Sequence, residues 1–380
     1  MRRKTGFVWN ELYMWHDTGH YAGVVQPHPA AFIEPDEHHE NPKTKRRFKN
    51  LLDATGLIRE LELIDAREAT EREVLRIHDA RYIEQIKALS HNSGGEAGPS
   101  TPFGKGGYDI ALLSAGGCLA LAETVMEGKV ANGYALNRPP GHHATRDAAM
   151  GFCLLANGAI TASALLHDHG LSRVAIVDWD VHHGNGAESI FWEEPGVLTI
   201  SIHQDNCFPP NSGAVDAVGA GPGEGFNLNV PLPPGSGRGA YLAAFERVVL
   251  PALRAYRPEF ILVASGFDAA GHDPLGRNML YSAVYGEMTQ MLLELADDLC
   301  GGRIMMTHEG GYSPSIVPFC GLRVLEALSG AQANIADPFE FALAHVGYQD
   351  LQAHQDAVIA RAEENVRAMT ARAVQTALPG

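Results

Sequence analysis

A chain of 380 residues, 45% of them hydrophobic, is long enough to bury a large core, and its length alone allows two or more domains. Its formal net charge of −16 argues against binding nucleic acid or an anionic membrane and is compatible with cationic substrates. No apolar run approaches the roughly 20 residues a transmembrane helix needs, and five scattered cysteines without a Cys-x-x-Cys pair fit reduced thiols in a cytoplasm.

Met1-Arg-Arg-Lys-Thr5 could head a signal peptide, but Asn10 and Glu11 interrupt any apolar region behind it. Residues 6–9 read as a first strand, and residues 13–39 as a loop rich in aromatics and histidine. Thr44 is suited to cap a helix carrying Phe48, Leu51 and Leu52, stopped by Gly56. Residues 61–65 are a short strand. Thr70 and Glu73 form a capping box, and Tyr82, Ile86 and Leu89 continue a helical stripe. Residues 90–107 hold almost nothing apolar, and so long a loop is usually functional or disordered. An apolar helix over 111–126, ended by Gly128, precedes a strand at 134–136 that runs into Asn137-Arg-Pro-Pro-Gly-His-His-Ala-Thr145.

Strand and helix signals then alternate: a helix over 157–169, strands at 173–177 and 197–202, and a Gly/Pro-rich excursion over 203–237. A helix over 239–256 leads to a strand at 260–264, and one over 281–300 to a strand at 303–307. From Gln352 the tail sets Val358, Ala362, Val366 and Met369 on one face of a long helix. With no internal repeat and no linker, we read residues 1–380 as one domain, a core over 6–330 and a helical tail over 335–380. The alternation implies an α/β fold, a parallel doubly wound sheet with helices on both faces.

Ligands of such sheets bind outside the carboxyl ends of the strands. Five predicted strands deliver titratable groups there. They bring His142 and His143; Asp178, Asp180, His182 and Asn185; His203, followed by Phe208; Asp268; and His308, Glu309 and Tyr312. Asp178, Asp180 and His182 alternate along an extended chain, and Gly184 and Gly186 let the backbone curl after them. Carboxylates with imidazole suit a divalent metal such as Zn²⁺, with one position left for water. His142-His143 offers a general base and a neighbouring acid, with Asp178 and Asn185 as orienting acceptors. Tyr312, after two glycines, can donate to a developing oxyanion.

Pro139-Pro-Gly-His-His143, Gly151-Phe-Cys153, Asp178-Trp-Asp-Val-His-His-Gly-Asn-Gly186, Ser265-Gly-Phe-Asp268 and Glu309-Gly-Gly-Tyr312 resemble the zinc-dependent histone deacetylase family, most closely its class II branch and the bacterial amidohydrolases. The resemblance spans about residues 6–330 and implies the arginase/deacetylase fold, with an eight-stranded parallel sheet. It implies Asp180, His182 and Asp268 as zinc ligands, His143 as general base, His142 with Asp178 as its electrostatic partner, Asn185 as its orienting group and Tyr312 as oxyanion donor. Gly151, Phe152, Phe208 and Leu275 would line a tunnel for an acyl-lysine-like chain. Asp178, Asp180, His182, Ser201 and Ile202 would hold a structural K⁺. A homo-oligomer, dimer or tetramer, is implied too, with the loops at 13–39 and 90–107 near its contacts.

Three departures stand out. Asn185 replaces the Asp of class I members, Ser100 and Thr101 stand where many members carry an acidic rim residue, and Tyr13-Met-Trp15 shapes a different entrance. His203, His308, Cys153 and Arg138 read as structural groups. The function expected is removal of acetyl or related acyl groups from lysine-like amines. The alternatives are an acetylpolyamine deacetylase on the same fold, an arginase-like binuclear ureohydrolase and a non-catalytic acyl-group binder. Leu275 bears on the first, because the polyamine-selective branch carries Glu at that position.

Overall fold

Short runs of β-branched and apolar residues become strands where both faces can be covered. In the computed structural model, which describes residues 4–377, eight such runs form one sheet. They are β1 (Thr5–Val8), β2 (Leu61–Ile64), β3 (Asn132–Ala135), β4 (Val174–Asp178), β5 (Val197–Gln204), β6 (Asn227–Leu232), β7 (Phe260–Ser265) and β8 (Ile304–His308). Their order is β6-β5-β4-β7-β8-β3-β1-β2, and every pair is parallel. The register aligns Asp178 with Ala264 and Ser201, and Ser265 with His308, so the carboxyl ends of the central strands lie side by side.

Alternate residues of each strand feed opposite cores. Ala175, Val177, Ile261 and Val263 face one apolar layer, shared with helices Lys43–Thr55, Ser282–Cys300, Val317–Ser329 and Ala353–Ala377. Val174, Ile176, Phe260 and Leu262 face the other, shared with helices Ala80–Asn92, Gly107–Met126 and Asn157–His167. Helix Gly107–Met126 has the length and mean hydropathy of a membrane-crossing segment, contrary to the reading that no run approaches it, but 61% of its most apolar window is buried inside the fold.

Several boundaries differ from the sequence reading for identifiable reasons. The excursion over 203–237 contains β6, which pairs with β5 alone; as an edge strand it tolerates Pro231, whose missing N–H breaks no inner ladder. Thr44 does not cap the first helix. It is buried in that helix's first turn, which starts after Pro42, and the Asn41 side chain accepts from Lys43 N at 2.9 Å. The stripe from Thr70 to Leu89 is two helices, Glu71–Leu75 behind the capping box and Ala80–Asn92. The helix over 239–256 is three consecutive pieces, the middle one a π turn at Phe245–Val249. Residues 90–107 are ordered around an antiparallel pair, Gly94–Glu96 with Pro102–Gly104.

The tail helix packs against β6, and its buried stripe is Ile359, Ala362, Val366 and Met369, as expected except that Ile359 takes the place of Val358. Truncating a fully buried aliphatic to Ala costs about 2–5 kcal/mol. Ile359→Ala should therefore lower the denaturant midpoint markedly while Val358→Ala changes it little; equal effects would contradict this placement.

Candidate active site

The acids at the strand ends fold their own loops. Asp178 Oδ1 accepts from Asp180 N at 3.0 Å, Asp180 Oδ1 from His182 N at 2.9 Å, and Asp268 Oδ1 from Val181 N at 2.8 Å. Asp180 Oδ2 accepts from Gly310 N at 2.7 Å, joining the end of β4 to the loop after β8. These bonds aim the side chains inward. His182 Nδ1 lies 3.0 Å from Asp180 Oδ1 and 3.1 Å from Asp268 Oδ2, and the donor atoms of all three residues fall within 4.8 Å of one another.

This cluster fits a divalent cation. Asp268 Oδ2 is buried without a hydrogen-bond partner among the described residues. A Cβ on Gly310 would lie 2.0 Å from Asp268 Oδ2, and one on Gly266 2.1 Å from Asp180 Oδ2, so glycines keep the cradle open. Burial and the neighbouring Asp180 push the Asp268 carboxyl up to about 7. Burial opposes charge on His182, yet Asp268 and Asp180 draw its pKa well up. Two carboxylates and an imidazole nitrogen facing one point require positive charge between them, and this donor set suits Zn²⁺.

Beside it, the histidine rings sit 3.9 Å apart. His142 Nδ1 lies 2.9 Å from Asp178 Oδ2, and its Nε2 lies 3.8 Å from Asp180 Oδ2. Burial disfavours the imidazolium, but Asp180 and Asp178 outweigh it and raise His142 to about 10. Burial also raises the Asp178 carboxyl against the pull of His142; facing two carboxylates, the imidazole keeps the shared proton. His143 goes the other way: burial and the charges of His142 and His182 hold it well below its usual value, so it is neutral. Its Nδ1 lies 2.7 Å from Asn185 Oδ1, and Asn185 Nδ2 donates to His143 O at 3.2 Å. That second bond fixes which end of the amide faces the ring; Nδ1 is therefore the donor and Nε2 carries the free lone pair.

A cavity of about 180 Å³ opens over this group, lined by His143, His182 and Tyr312 together with Gly151, Phe152, Phe208 and Leu275. Phe208 meets His143 edge-on at 4.9 Å, and Phe152 meets Tyr312 edge-on at 5.7 Å. Gly151 has φ +51°, and a Cβ there would lie 2.4 Å from His143 Cδ2, so a larger residue would close the tunnel. Burial keeps the Tyr312 hydroxyl protonated, with Asp268 adding to the upward shift. The tip of the 90–107 segment is stitched to this wall, since Pro99 O accepts from Gly151 N and Ser100 O from Phe152 N, both at 3.0 Å.

Val24 and Cys207 have no signal in the sequence, whereas Ser100 is expected at the rim. Val24, Ser100 and Cys207 also line the cavity; Val24 comes from a loop whose path no local pattern sets. Glu309 accepts from Gly141 N at 2.7 Å and His142 N at 3.1 Å, gripping the histidine loop. Buried Arg138 donates to Glu40 and to the carbonyls of Tyr13 and His16, while Lys45 pairs with the same Glu40 at 2.8 Å. Tyr13 and Met14 are therefore core residues, and the segment does not shape the tunnel mouth; only Trp15 is exposed. His203 binds Ser201 and Gly213 O, and His308 binds the Tyr134 hydroxyl. Cys153, fully buried, has its thiol pushed well up by burial. Of the expected monovalent-cation residues, Ser201 sits in register with Asp178 and its Oγ accepts from Gly184 N, while Ile202 is buried in β5.

Residues 38–328 match the model of the histone deacetylase domain. The chain is 49% identical over 344 residues to the histone deacetylase-like amidohydrolase of Pseudomonas aeruginosa, covering 89% of each. It is 34% identical to a probable deacetylase of Archaeoglobus fulgidus, covering 86% of each. Histone deacetylase 5 of Arabidopsis thaliana is 35% identical, and this chain spans about half of its length (49%). The solved HD domain of HDA15 superposes with a TM-score of 0.84 at 31% identity, covering 99% of both chains. With its eight-stranded parallel sheet and the cluster at the sheet's carboxyl edge, this chain belongs to the histone deacetylase family.

Proposed function

We propose that the protein is a zinc-dependent amidohydrolase that removes acetyl or related acyl groups from lysine-like amines. The observation that carries this reading is the convergence of the Asp180–His182–Asp268 cluster, the neutral His143 and the Tyr312 hydroxyl on one apolar cavity. Asp180, His182 and Asp268 would hold Zn²⁺, which when bound would polarise the amide carbonyl and lower the pKa of water. His143 Nε2, its tautomer set by Asn185, takes the water proton and returns it to the leaving amine. His142, bonded to Asp178 and lying beside the His143 ring, acts as that ring's electrostatic partner. Tyr312 donates its hydroxyl to the developing oxyanion. Phe152 and Phe208 hold the methylenes of the acyl-lysine chain, and Gly151 leaves them room.

Other readings fit less well. A binuclear ureohydrolase needs a second set of free ligands. In the other buried cluster among the described residues, His142, Cys153 and Glu309, His142 Nδ1 is engaged with Asp178 and Glu309 accepts from the backbone N–H groups of Gly141 and His142. A non-catalytic binder has no use for a tautomer-fixed His143. Against an acetylpolyamine preference stands Leu275, half-buried at the cavity, where the distal ammonium of a polyamine needs a carboxylate to offset its desolvation. Glu96 does not provide one freely, since it accepts from the Tyr21 hydroxyl and from Thr101 N. The class II assignment rests on Asn185, and a structural K⁺ on the pairing of Asp178 with Ser201.

We also read residues 1–380 as one domain, because the tail helix shares the sheet's core, as cytoplasmic on the ground of its free cysteines, and as a homo-oligomer. Support for the oligomer comes from Trp15, Val25 and Phe32, all exposed in the loop over 13–39. Light scattering that reports a monomer at micromolar concentration would contradict it.

The function is tested by kcat and KM on an acetyl-lysine peptide and an acetylated polyamine. Wild type should favour the peptide, and Leu275→Glu should move the ratio toward the polyamine. Tyr312→Phe should lower kcat by about 10²–10³ with little change in KM, and His143→Ala should be nearly inactive while retaining metal. Tyr312→Phe at wild-type turnover, or loss of metal in His143→Ala, would overturn the assigned roles. A strong polyamine preference in wild type would overturn the substrate reading.

A further inference from the structure

The chain reaches Tyr312 through two glycines that cannot be replaced by larger residues without moving the site. A Cβ on Gly310 would strike Asp268, and Gly311 has φ +126°. Gly310 itself is anchored on both sides: its N–H donates to Asp180 Oδ2 at 2.7 Å, and its carbonyl accepts from Phe267 N at 2.9 Å. Gly311 then restores freedom just before the residue whose hydroxyl must be aimed. The Tyr312 ring lies between Phe152, 5.7 Å away, and the Lys45 ammonium, 5.7 Å from the ring centroid, and neither contact fixes the main chain.

Its main chain is held by Asp273. Tyr312 N donates to Asp273 Oδ2 at 2.7 Å, and the other oxygen, Oδ1, accepts from Leu275 N at 2.8 Å. Asp273 is only 8% exposed, and its own N–H donates to Ala270 O at 3.0 Å, so the carboxylate is seated on the turn that follows Asp268. One buried carboxylate thus bridges the backbone of the oxyanion donor and the backbone of the residue at the tunnel mouth.

We propose that Asp273 is a positioning residue for the reaction: through its two oxygens it locks the Tyr312 hinge to the rim turn at Leu275, so that substrate methylenes resting on Leu275 stabilise the reactive placement of the Tyr312 hydroxyl. This rests on the reading of Tyr312 as the oxyanion donor. Both bonds go to a carboxylate, and the one to Tyr312 is fully buried, which is where geometry is most strongly enforced. Glu309 performs a different task, gripping the histidine loop, so the two acids that flank Gly310–Tyr312 in space hold separate halves of the catalytic group.

The test is a double-mutant cycle of Asp273→Asn with Tyr312→Phe on an acetyl-lysine peptide, with metal content and melting temperature measured in parallel. The amide replaces one acceptor with a donor that faces an N–H, so the lock opens. Asp273→Asn should lower kcat about tenfold or more, leave KM within about twofold and retain the metal. In the Tyr312→Phe background it should change kcat by less than about twofold, because the hydroxyl it positions is already gone. Asp273→Ser, which keeps one acceptor and adds no facing NH₂, is carried through the same cycle. Equal fold-losses in both backgrounds, unchanged kcat in Asp273→Asn, or loss of metal or fold in both variants would overturn the proposal. If instead Tyr312→Phe itself turns over like wild type, the reading of Tyr312 fails; a slow Tyr312→Phe beside a wild-type-like Asp273→Asn defeats the lock alone.

Discussion

The structure depends on concentrating negative charge where water is absent. Asp178, Asp180, Asp268, Asp273 and Glu309 are each less than about a tenth exposed, and all lie at or just beyond the carboxyl ends of adjacent strands. Burying a carboxylate is costly unless it is paired or hydrogen-bonded, and each acid here answers that cost with backbone N–H groups that simultaneously bend a catalytic loop. The loops at Asp180–His182, Gly141–His142 and Gly310–Tyr312 therefore owe their shapes to the site's own acids. Asp268 Oδ2 is left without a hydrogen-bond partner among the described residues, at a point where the cluster could hold a metal ion.

A second buried charge network supports the first from outside. Glu40 is held ionised by Arg138 and Lys45, whose charges outweigh the effect of burial and depress its pKa. Arg138 uses its remaining donors on the carbonyls of Tyr13 and His16. This fastens the N-terminal loop to the chain just before the histidine pair. His38, two residues before Glu40, stacks edge-on against Phe152 at 5.0 Å, so the same loop backs the tunnel wall. Breaking a buried pair of this kind by removing one partner costs about 3–5 kcal/mol, which places Arg138 among the residues that build the site without touching substrate.

Much of the site was legible because its residues cluster in short stretches after strands. Alternation drew attention to Asp178, Asp180 and His182, but β4 ends at Asp178 and the bends after it, set by the acids' own bonds to backbone N–H groups, bring the side chains together. The parallel topology then required the ends of neighbouring strands to meet, bringing Asp268 and Tyr312 alongside. What was not legible depends on chain paths that local pattern does not determine. Val24 reaches the cavity from a loop without periodicity, and β6 hides in a Gly/Pro-rich stretch because an edge strand needs neither a continuous apolar run nor every N–H. Thr44 was misread as a cap because Asn41 and Pro42 start that helix earlier. In the tail, Ala362, Val366 and Met369 are buried as expected, and only the first position differs, because Val358 and Ile359 are equally apolar and packing against the sheet chooses between them. The double role of Asp273 was invisible for a plainer reason: its partners are backbone N–H groups, which leave no trace in side-chain spacing.

The central claim is that the buried Asp180–His182–Asp268 cluster is built around one divalent cation. Thermal melting before and after chelation, with metal content determined by elemental analysis, tests it most directly. The account predicts about one tightly bound metal per chain, a lower melting temperature once it is removed, recovery on adding Zn²⁺, and no such response in Asp180→Ala or Asp268→Ala. A melting temperature indifferent to metal removal, or two metals in one cluster, would contradict it.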